Sequence, residues 1–351
     1  MNDAVMEKRK LYILASISFL VFIVVVAVIL SLCLDTEKRG PKLVIDHDGG
    51  ADDAMAIFIA LLEEKYFMGP NVVGLTTVNG NVNESQVYIN SQRILDVAER
   101  RDVPIYRGSA DALVLGYSSD AYFGVDGLGD SKNVSYRAIK AEPLVAALAL
   151  IEFSKKYEGQ LIVVALAPLT NIALAIKIDP EFLTRLKQIY VGAGHVYDEN
   201  TKTAEFNAKL DVEAYHIVAQ YASSDKVTVV PYNRVRYSLN VTREWRVKQL
   251  GRINTKIMQE QNKFEQVSIP KSTLWRLLDP AVMSMALDNS IIEDIRLTDN
   301  GIILCGEMRG INTNNFTSDS GNNMKLVYDS NEDEYKNFLL RVFSADQNRI
   351  N

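Results

Sequence analysis

The 351-residue chain is poor in the residues that support several common classes of protein. It has two cysteines, Cys33 and Cys305, so a disulfide scaffold is excluded. Its net charge is −6, which argues against nucleic acid as the partner, because phosphate binding needs positively charged surfaces. It has three histidines, His47, His195 and His216, and neither a low-complexity tract nor an internal repeat. What it does have is 48% apolar residues, enough for a sizeable core.

One uncharged apolar run occupies residues 11–34. About 20 apolar residues cross a bilayer as a helix, and the apolar part of a signal peptide is shorter. The run therefore predicts a transmembrane signal-anchor helix over 11–34, after a short cytoplasmic tail at 1–10 and before a linker at 35–41. Cleavage of the run as a secretory signal is the alternative.

Basic residues flank the run on both sides, so charge alone does not orient it. Four N-glycosylation acceptor motifs follow the run, beginning at Asn83, Asn133, Asn240 and Asn315. They favour a single-pass membrane protein with a cytoplasmic N-terminus and an extracellular or lumenal body.

Strand and helix patterns alternate along the rest of the chain. Predicted strands cover residues 42–45, 72–78, 104–106, 161–166, 188–191 and 227–230, and predicted helices cover 51–64, 84–100, 144–157, 171–177 and 212–221. This alternation predicts one α/β domain over 42–351, an open and mainly parallel sheet flanked by helices. Ligands of such sheets bind beyond the carboxyl ends of the strands.

An acidic loop follows the first predicted strand. Asp46, Asp48, Asp52 and Asp53 lie within eight residues, and carboxylates this close repel one another unless a cation neutralises them. Oxygen ligands suit Ca²⁺ or Mg²⁺. The alternative is that Asp52 and Asp53 only stabilise a helix N-terminus, which leaves the other two acids unexplained.

The first four residues of this loop, Asp46–Gly49, also resemble the opening motif of haloacid-dehalogenase-like phosphatases. That resemblance implies Mg²⁺ and a phosphorylated substrate, with Asp46 as the nucleophile. It does not account for Asp52 and Asp53.

A longer set of motifs resembles the inosine–uridine-type nucleoside hydrolase family. Its Asp-x-Asp-Pro-Gly-x-Asp-Asp-Ala motif corresponds to Asp46–Ala54, with Gly49 in place of proline. Further similar segments follow in the family's order: Thr77–Val82, Asp126–Gly129, Leu166–Asn171, Ala204–Asn207 with Asp211, and Asp279–Pro280. The resemblance covers residues 42–345 and implies the nucleoside-hydrolase fold, with a Rossmann-like core.

The resemblance implies Ca²⁺-dependent hydrolysis of the N-glycosidic bond of ribonucleosides. Asp48, Asp53, the Leu166 carbonyl and Asp279 would hold the ion, and Asp48 would also be the general base on a metal-bound water. Asp46 would support the cluster from behind. The family also commonly forms homo-oligomers.

The same resemblance implies a set of ribose contacts that stabilise an oxocarbenium-like transition state. These residues are Asp52, Asn81, Glu205 and Asn207, with Asn200 near the 5′-hydroxyl at a spacing one residue shorter than the family's. Structural alternatives stay open: Asn81 and Asp279 could be helix caps, and Glu205 and Asn207 could belong to an ordinary polar loop.

Two histidines of pyrimidine-accepting relatives are replaced here by Phe123 and Leu278. His195 could face the cleft, whereas His216 is predicted to be structural. Phe123, Phe206 and Trp275 are predicted as aromatic walls for the base, which favours purine nucleosides. The alternative is a nucleoside-binding membrane protein with little or no turnover.

Overall fold

The computed structural model describes residues 18–26, 40–116, 118–131, 136–198, 202–317 and 321–347. The chain divides into two units, Met1–Gly40 and Pro41–Asn351. All elements named below belong to the second unit.

The predicted single-pass membrane location is contradicted, and the transmembrane helix on which it was based is not supported. Of the run at 11–34, the structure describes residues 18–26, which are helical. Among the described residues no helix is long and apolar enough to cross a membrane. The rest of the run, the predicted tail at 1–10 and most of the predicted linker lie outside the described residues.

Strands and helices alternate through the second unit, close to the predicted bounds. The strands are β1 (Lys42–His47), β2 (Asn71–Thr77), β3 (Ile105–Tyr106), β4 (Leu161–Ala165), β5 (Gln188–Val191), β6 (Val227–Val229), β7 (Ile292–Ile302), β8 (Asn312–Asn315) and β9 (Met324–Ser330). The α-helices are α1 (Ala51–Tyr66), α2 (Glu84–Val97), α3 (Ala146–Lys156), α4 (Thr170–Ile178), α5 (Phe182–Arg185), α6 (Phe206–Leu210), α7 (Val212–Tyr221), α8 (Tyr232–Ser238), α9 (Arg243–Lys248), α10 (Lys256–Phe264), α11 (Leu278–Leu287) and α12 (Glu332–Ser344). Short 3₁₀ turns lie at Leu250–Arg252, Ile269–Lys271 and Asn289–Ile291.

The described strands form one sheet in the order β3-β2-β1-β4-β5-β6-β9-β7-β8. Neighbours from β3 to β9 are parallel, and β7 is antiparallel to both β9 and β8. The predicted open, mainly parallel α/β fold is therefore confirmed. The central strand β1 is buried along its whole length, as expected for a parallel strand covered by helices on both faces.

Two apolar clusters lie on the two faces of the sheet. One contains side chains of α1, α10, α11 and α12, and the other contains side chains of α3, α4, α5 and α7. The order of the strands reverses at β1, because β2 and β3 lie on one side of it and β4 to β6 on the other. Such a reversal opens a crevice at the carboxyl ends of the strands, and the acidic loop follows β1 at this point.

Candidate active site

Asp46 is the last residue but one of β1 and connects the strand to its neighbours by hydrogen bonds. Its Oδ1 accepts hydrogen bonds from Thr76 Oγ1 at 2.6 Å and from Asn171 Nδ2 at 2.8 Å. Burial raises the pKa of Asp46 to about 7. Asp46 thus joins β1 to β2 and α4 beneath the acidic loop, where it was predicted to support the cluster.

Asp48 is fully buried and is held by the loop that follows β2. Its Oδ2 accepts a hydrogen bond from the backbone N–H of Asn81 at 2.9 Å, and its Oδ1 accepts one from Asn81 Nδ2 at 2.7 Å. Burial raises the pKa of Asp48, whereas these hydrogen bonds lower it. Asn81 is not the cap of α2, because that role belongs to Asn83, whose side chain accepts from the Gln86 N–H. The capping alternative for Asn81 is therefore wrong.

Asp53 lies in the first turn of α1 and accepts two hydrogen bonds from the backbone of the acidic loop. Its Oδ2 accepts from the Gly50 N–H at 2.7 Å and its Oδ1 from the Asp48 N–H at 3.3 Å. These bonds satisfy donors at the start of the helix. The helix-start alternative thus describes part of what Asp53 does, and part of what Asp52 does, since Asp52 Oδ1 accepts from the Asp53 N–H at 3.2 Å. It leaves Asp46 and Asp48 unexplained.

Asp52, Asp53 and Asp279 form a buried cluster of carboxylates. One oxygen from each lies within 4.8 Å of the others. Burial raises the pKa of all three well above the ordinary value, and the charges of neighbouring carboxylates, Asp48 among them, raise it further. Asp279 Oδ2 is buried without a hydrogen-bond partner. Asp279 is not a helix cap, since α11 begins at Leu278 and its N-cap is Leu277.

The oxygen atoms of these residues suit a hard divalent cation as ligands. Oxygens are the ligands that Ca²⁺ and Mg²⁺ prefer, and an unpartnered buried carboxylate oxygen needs a partner. Asp48 belongs to the same electrostatic cluster, although Asn81 occupies both of its oxygens. The Leu166 carbonyl lies beyond the end of β4 and accepts from Asn207 Nδ2 at 2.9 Å, which leaves its second lone pair for another partner.

A cavity of about 330 Å³ opens above the cluster. The predicted site residues that line it are Asp52, Asn81, Phe123, Leu166, Glu205, Phe206, Asn207 and Asp279. Asp46, Asp48 and Asp53 are not on its surface, and each is fully buried. Asn200 lies outside the described residues.

Glu205 and Asn207 are fixed in the wall by the turn into α6. Glu205 is the N-cap residue of α6, and its Oε2 accepts from the Gly194 and Ala208 N–H groups. Burial raises the pKa of Glu205 to about 7. Asn207 Nδ2 donates to the Leu166 and Gly192 carbonyls, both at 2.9 Å. The ordinary-loop alternative is wrong, because both side chains are buried and bonded.

A comparison with protein families decides what kind of site this is. The model of the family "Inosine-uridine preferring nucleoside hydrolase" matches residues 43–337. The chain belongs to this family. Membership confirms the predicted resemblance and removes the basis for the phosphatase alternative.

Individual nucleoside hydrolases agree with this membership. The chain is 29% identical over 265 residues to the inosine-uridine preferring nucleoside hydrolase of Leishmania major, which covers 73% of this chain and 82% of that protein. It is 38% identical over 184 residues to a probable uridine nucleosidase of Arabidopsis thaliana, covering 50% of this chain and 55% of that protein. The chain thus spans little more than half the length of this plant relative. The solved structure of a plant nucleoside hydrolase superposes with a TM-score of 0.76 at 27% identity, covering 87% of this chain and 99% of that one.

The cavity has no histidine at the two positions where pyrimidine-accepting relatives were expected to carry one. Phe123 and Leu278 both line it, and the ring of Phe123 packs edge-on against Tyr122 at 4.9 Å. His195 lines the cavity, as its place after a strand end suggested, with its ring 6.0 Å from that of Tyr232. Burial lowers the pKa of His195.

The predicted aromatic wall at Trp275 is wrong. Its indole is buried in the core, donates from Nε1 to Glu265 Oε2 at 2.7 Å and stacks on Tyr335 at 6.5 Å. A buried tryptophan with a bonded N–H is a packing residue, which is why it does not face the cavity.

Seven further lining residues were not predicted: Asp120, Tyr122, Thr203, Tyr232, Arg236, Arg276 and Leu277. No linear motif marks them. Tyr232 and Arg236 lie one helical turn apart on α8, just after β6, so their place beyond a strand end was the available signal.

Proposed function

We propose that the chain hydrolyses the N-glycosidic bond of ribonucleosides and releases ribose and the free base, with Ca²⁺ in the acidic cluster. The observation that supports this most directly is the buried Asp52–Asp53–Asp279 cluster, with its unpartnered Asp279 Oδ2, at the base of the cavity. A volume of about 330 Å³ lies in the range of small-molecule sites.

Asp48, Asp53, Asp279 and the Leu166 carbonyl are the proposed ligands, with Asp52 beside them. When bound, a divalent cation would neutralise the mutual repulsion of these carboxylates and would lower the pKa of a nearby water. Ca²⁺ is favoured over Mg²⁺ because the oxygens come from several separate loops, a flexible arrangement that the octahedral Mg²⁺ tolerates poorly.

Asp48 is the proposed general base. A water molecule attacks C1′ of the ribose and transfers one proton to Asp48, while the C1′–N bond breaks and its electron pair leaves with the base. The nucleobase takes one proton from solvent, and Asp48 later releases its proton to solvent. The two hydrogen bonds from Asn81 hold the carboxylate in one orientation and favour its ionised form.

The cavity wall suits the sugar in this reaction. Asp52, Asn81, Glu205 and Asn207 place carboxylate and amide oxygens around the ribose site, and such groups stabilise positive charge that develops on the sugar ring. Each is held by backbone or side-chain hydrogen bonds, so little reorganisation is needed when the charge forms.

Aromatic residues line the proposed site for the nucleobase. Tyr122, Phe123, Phe206 and Tyr232 line the cavity and offer faces on which a planar base can stack. The larger faces of purines gain more from such walls, so purine nucleosides are the favoured substrates.

A second candidate is nucleoside binding with little turnover. It is favoured by Phe123 and Leu278, which supply no proton donor to the leaving base at the positions where relatives were expected to have histidine.

The test is release of free ribose by the full chain from inosine, guanosine, adenosine, uridine and cytidine, with Ca²⁺ or with chelator. We expect release with Ca²⁺, loss of release in chelator and loss in Asp48→Ala. The Asp294→Ala variant, which alters a carboxylate far along the chain on β7, should behave as the parent does. Binding of nucleoside and Ca²⁺ without ribose release would replace the hydrolase proposal with the binding function.

A further inference from the structure

Two arginines that have no role in the proposed mechanism line the cavity. Arg276 is half-buried and lies three residues before Asp279, and Arg236 is exposed on α8. The lining carboxylates Asp52, Glu205 and Asp279 are buried. The cavity therefore carries acidic groups in its depth and guanidinium groups nearer solvent.

Arg276 is held in place, yet it retains an unused donor. Its Nη2 donates to Asn240 Oδ1 at 3.0 Å, and the Asn240 Nδ2 donates to the Tyr237 carbonyl at 3.0 Å. Its Nε is buried without a hydrogen-bond partner. A buried guanidinium N–H without a partner is costly, so this group is available for an acceptor that enters the cavity.

The pKa of Tyr232 is affected by both the carboxylates and the arginines. Burial raises the pKa of Tyr232, the charges of Arg236 and Arg276 lower it, and those of Asp52 and Glu205 raise it. The Arg236 guanidinium lies 5.6 Å from the Tyr232 ring centroid. Tyr232, the two carboxylates and the two arginines all line the same cavity, so a ligand against this ring shares the cavity with both sets of charges.

We propose that Arg276, assisted by Arg236, binds the leaving base of the nucleoside and stabilises the negative charge that develops on it. This proposal rests on the proposed hydrolase function. The departing base accepts the electron pair of the C1′–N bond, and the guanidinium donates hydrogen bonds to it. Arginine keeps its proton, so the proton that finally neutralises the base comes from solvent.

The same donors select the class of base. A guanidinium donates in a planar fork that matches an oxo group beside a ring-nitrogen acceptor, as in the O6 and N7 of a 6-oxopurine. Adenine presents an amino donor in place of that oxygen, which opposes the arginine donors. The preferred substrates are therefore 6-oxopurine nucleosides, with inosine above adenosine.

The test compares the full chain with Arg276→Met, Arg276→Lys and Arg236→Met on inosine, adenosine and 4-nitrophenyl β-D-ribofuranoside. The nitrophenolate departs readily and needs little stabilisation. In Arg276→Met we expect the ratio of kcat/KM for inosine to that for the nitrophenyl riboside to fall about 10- to 100-fold, the range of one bidentate guanidinium contact to a base. Arg276→Lys keeps the charge but loses the planar fork. Its ratio of kcat/KM values should lie between those of the parent and Arg276→Met. Arg252→Met, an exposed arginine of a 3₁₀ turn, is the matched control and should leave both substrates unchanged.

The outcomes separate this proposal from the hydrolase proposal. Hydrolysis by the parent chain tests the reaction, and the substrate ratio tests the arginines. An equal loss on inosine and the nitrophenyl riboside, no loss on either, or adenosine preferred to inosine would overturn the role of Arg276. If no substrate is hydrolysed, calorimetry with Ca²⁺ decides: inosine should bind more tightly than adenosine in the parent and not in Arg276→Met, and equal binding in the parent overturns the proposal.

Discussion

Asn81 holds both oxygens of the Asp48 carboxylate, with its backbone N–H on one and its side-chain amide on the other. Asp48 follows β1 and Asn81 follows β2, so one residue joins the loops of two neighbouring parallel strands. The residue before it is Gly80, where an added Cβ would lie 1.9 Å from Asp48 Oδ2. The position of the proposed general base therefore depends on two residues of the second loop.

Asn81→Ala should reduce both activity and stability. The variant removes one hydrogen bond to a buried carboxylate, an interaction of about 1.5–3 kcal/mol, so we expect kcat/KM for inosine to fall at least about 10-fold. The matched control is Asn83→Ala, which removes the cap of α2 and should cost about 1 kcal/mol of the free energy of unfolding with activity retained. Steady-state kinetics and urea unfolding measure the two effects. Equal loss of activity in both variants would show that Asn81 acts only through the fold.

Gly80→Ala should disable the site by displacement of Asp48. The new methyl group cannot be accommodated at 1.9 Å from Asp48 Oδ2, and a misplacement of about 1 Å can cost about 100-fold in rate. Gly116→Ala is the control, because its nearest neighbour would be Ala112 Cβ at 3.6 Å, an ordinary contact. The measurement is kcat/KM with Ca²⁺ present, and full activity in Gly80→Ala would contradict the geometry of the loop.

The sequence predicted the fold and most of the cavity because both depend on local patterns. Alternating apolar strands and helices gave the parallel sheet, and the order of motifs gave the loops beyond β1, β2 and β4. Tyr232 and Arg276 were missed, since nothing in the neighbouring sequence says that α8 and the segment before α11 meet over the acidic loop. Trp275 was misplaced for the same reason: in the segment before α11 it packs in the core, whereas the next residues, Arg276 and Leu277, line the cavity.

The apolar run at 11–34 met the criterion of length and composition for a membrane span, but among the described residues no helix is long and apolar enough to cross a membrane.

Asp279→Asn should stabilise the metal-free protein and abolish its stabilisation by Ca²⁺. Burial, and after it the charges of Asp52 and Asp48, raise the pKa of Asp279, so removal of this charge relieves both desolvation and repulsion when no cation is bound. With Ca²⁺ at about 100 times its Kd, the parent should gain about 2.7 kcal/mol, and the variant should gain much less. Asp299→Asn, on the exposed part of β7, is the control. Thermal unfolding with chelator and with Ca²⁺ provides the comparison, and an equal gain in parent and Asp279→Asn would remove Asp279 from the ligands.

Glu205→Gln should flatten the pH dependence of stability in chelator. Burial raises the pKa of Glu205 from 4.5 to about 7, so between these values the folded carboxyl is protonated while the unfolded one is ionised. Unfolding then releases a proton, and stability falls as pH rises through this window. The difference of about 2.5 between the two pKa values corresponds to at most roughly 3–4 kcal/mol. The glutamine amide oxygen can still accept from the Gly194 and Ala208 N–H groups, so the cap of α6 is kept.

Urea unfolding between about pH 5 and pH 8 measures this effect. The parent and Glu307→Gln, which alters an exposed carboxylate, should lose stability in parallel as pH rises. Glu205→Gln should lose less, and the gap between the curves should widen up to about pH 7, because the variant has no proton to release. Parallel curves for all three proteins would mean that Glu205 is already ionised in the folded state. In that case the wall of the ribose site would carry a full negative charge at every pH in this range, and the sugar would meet an acceptor there rather than a neutral acid.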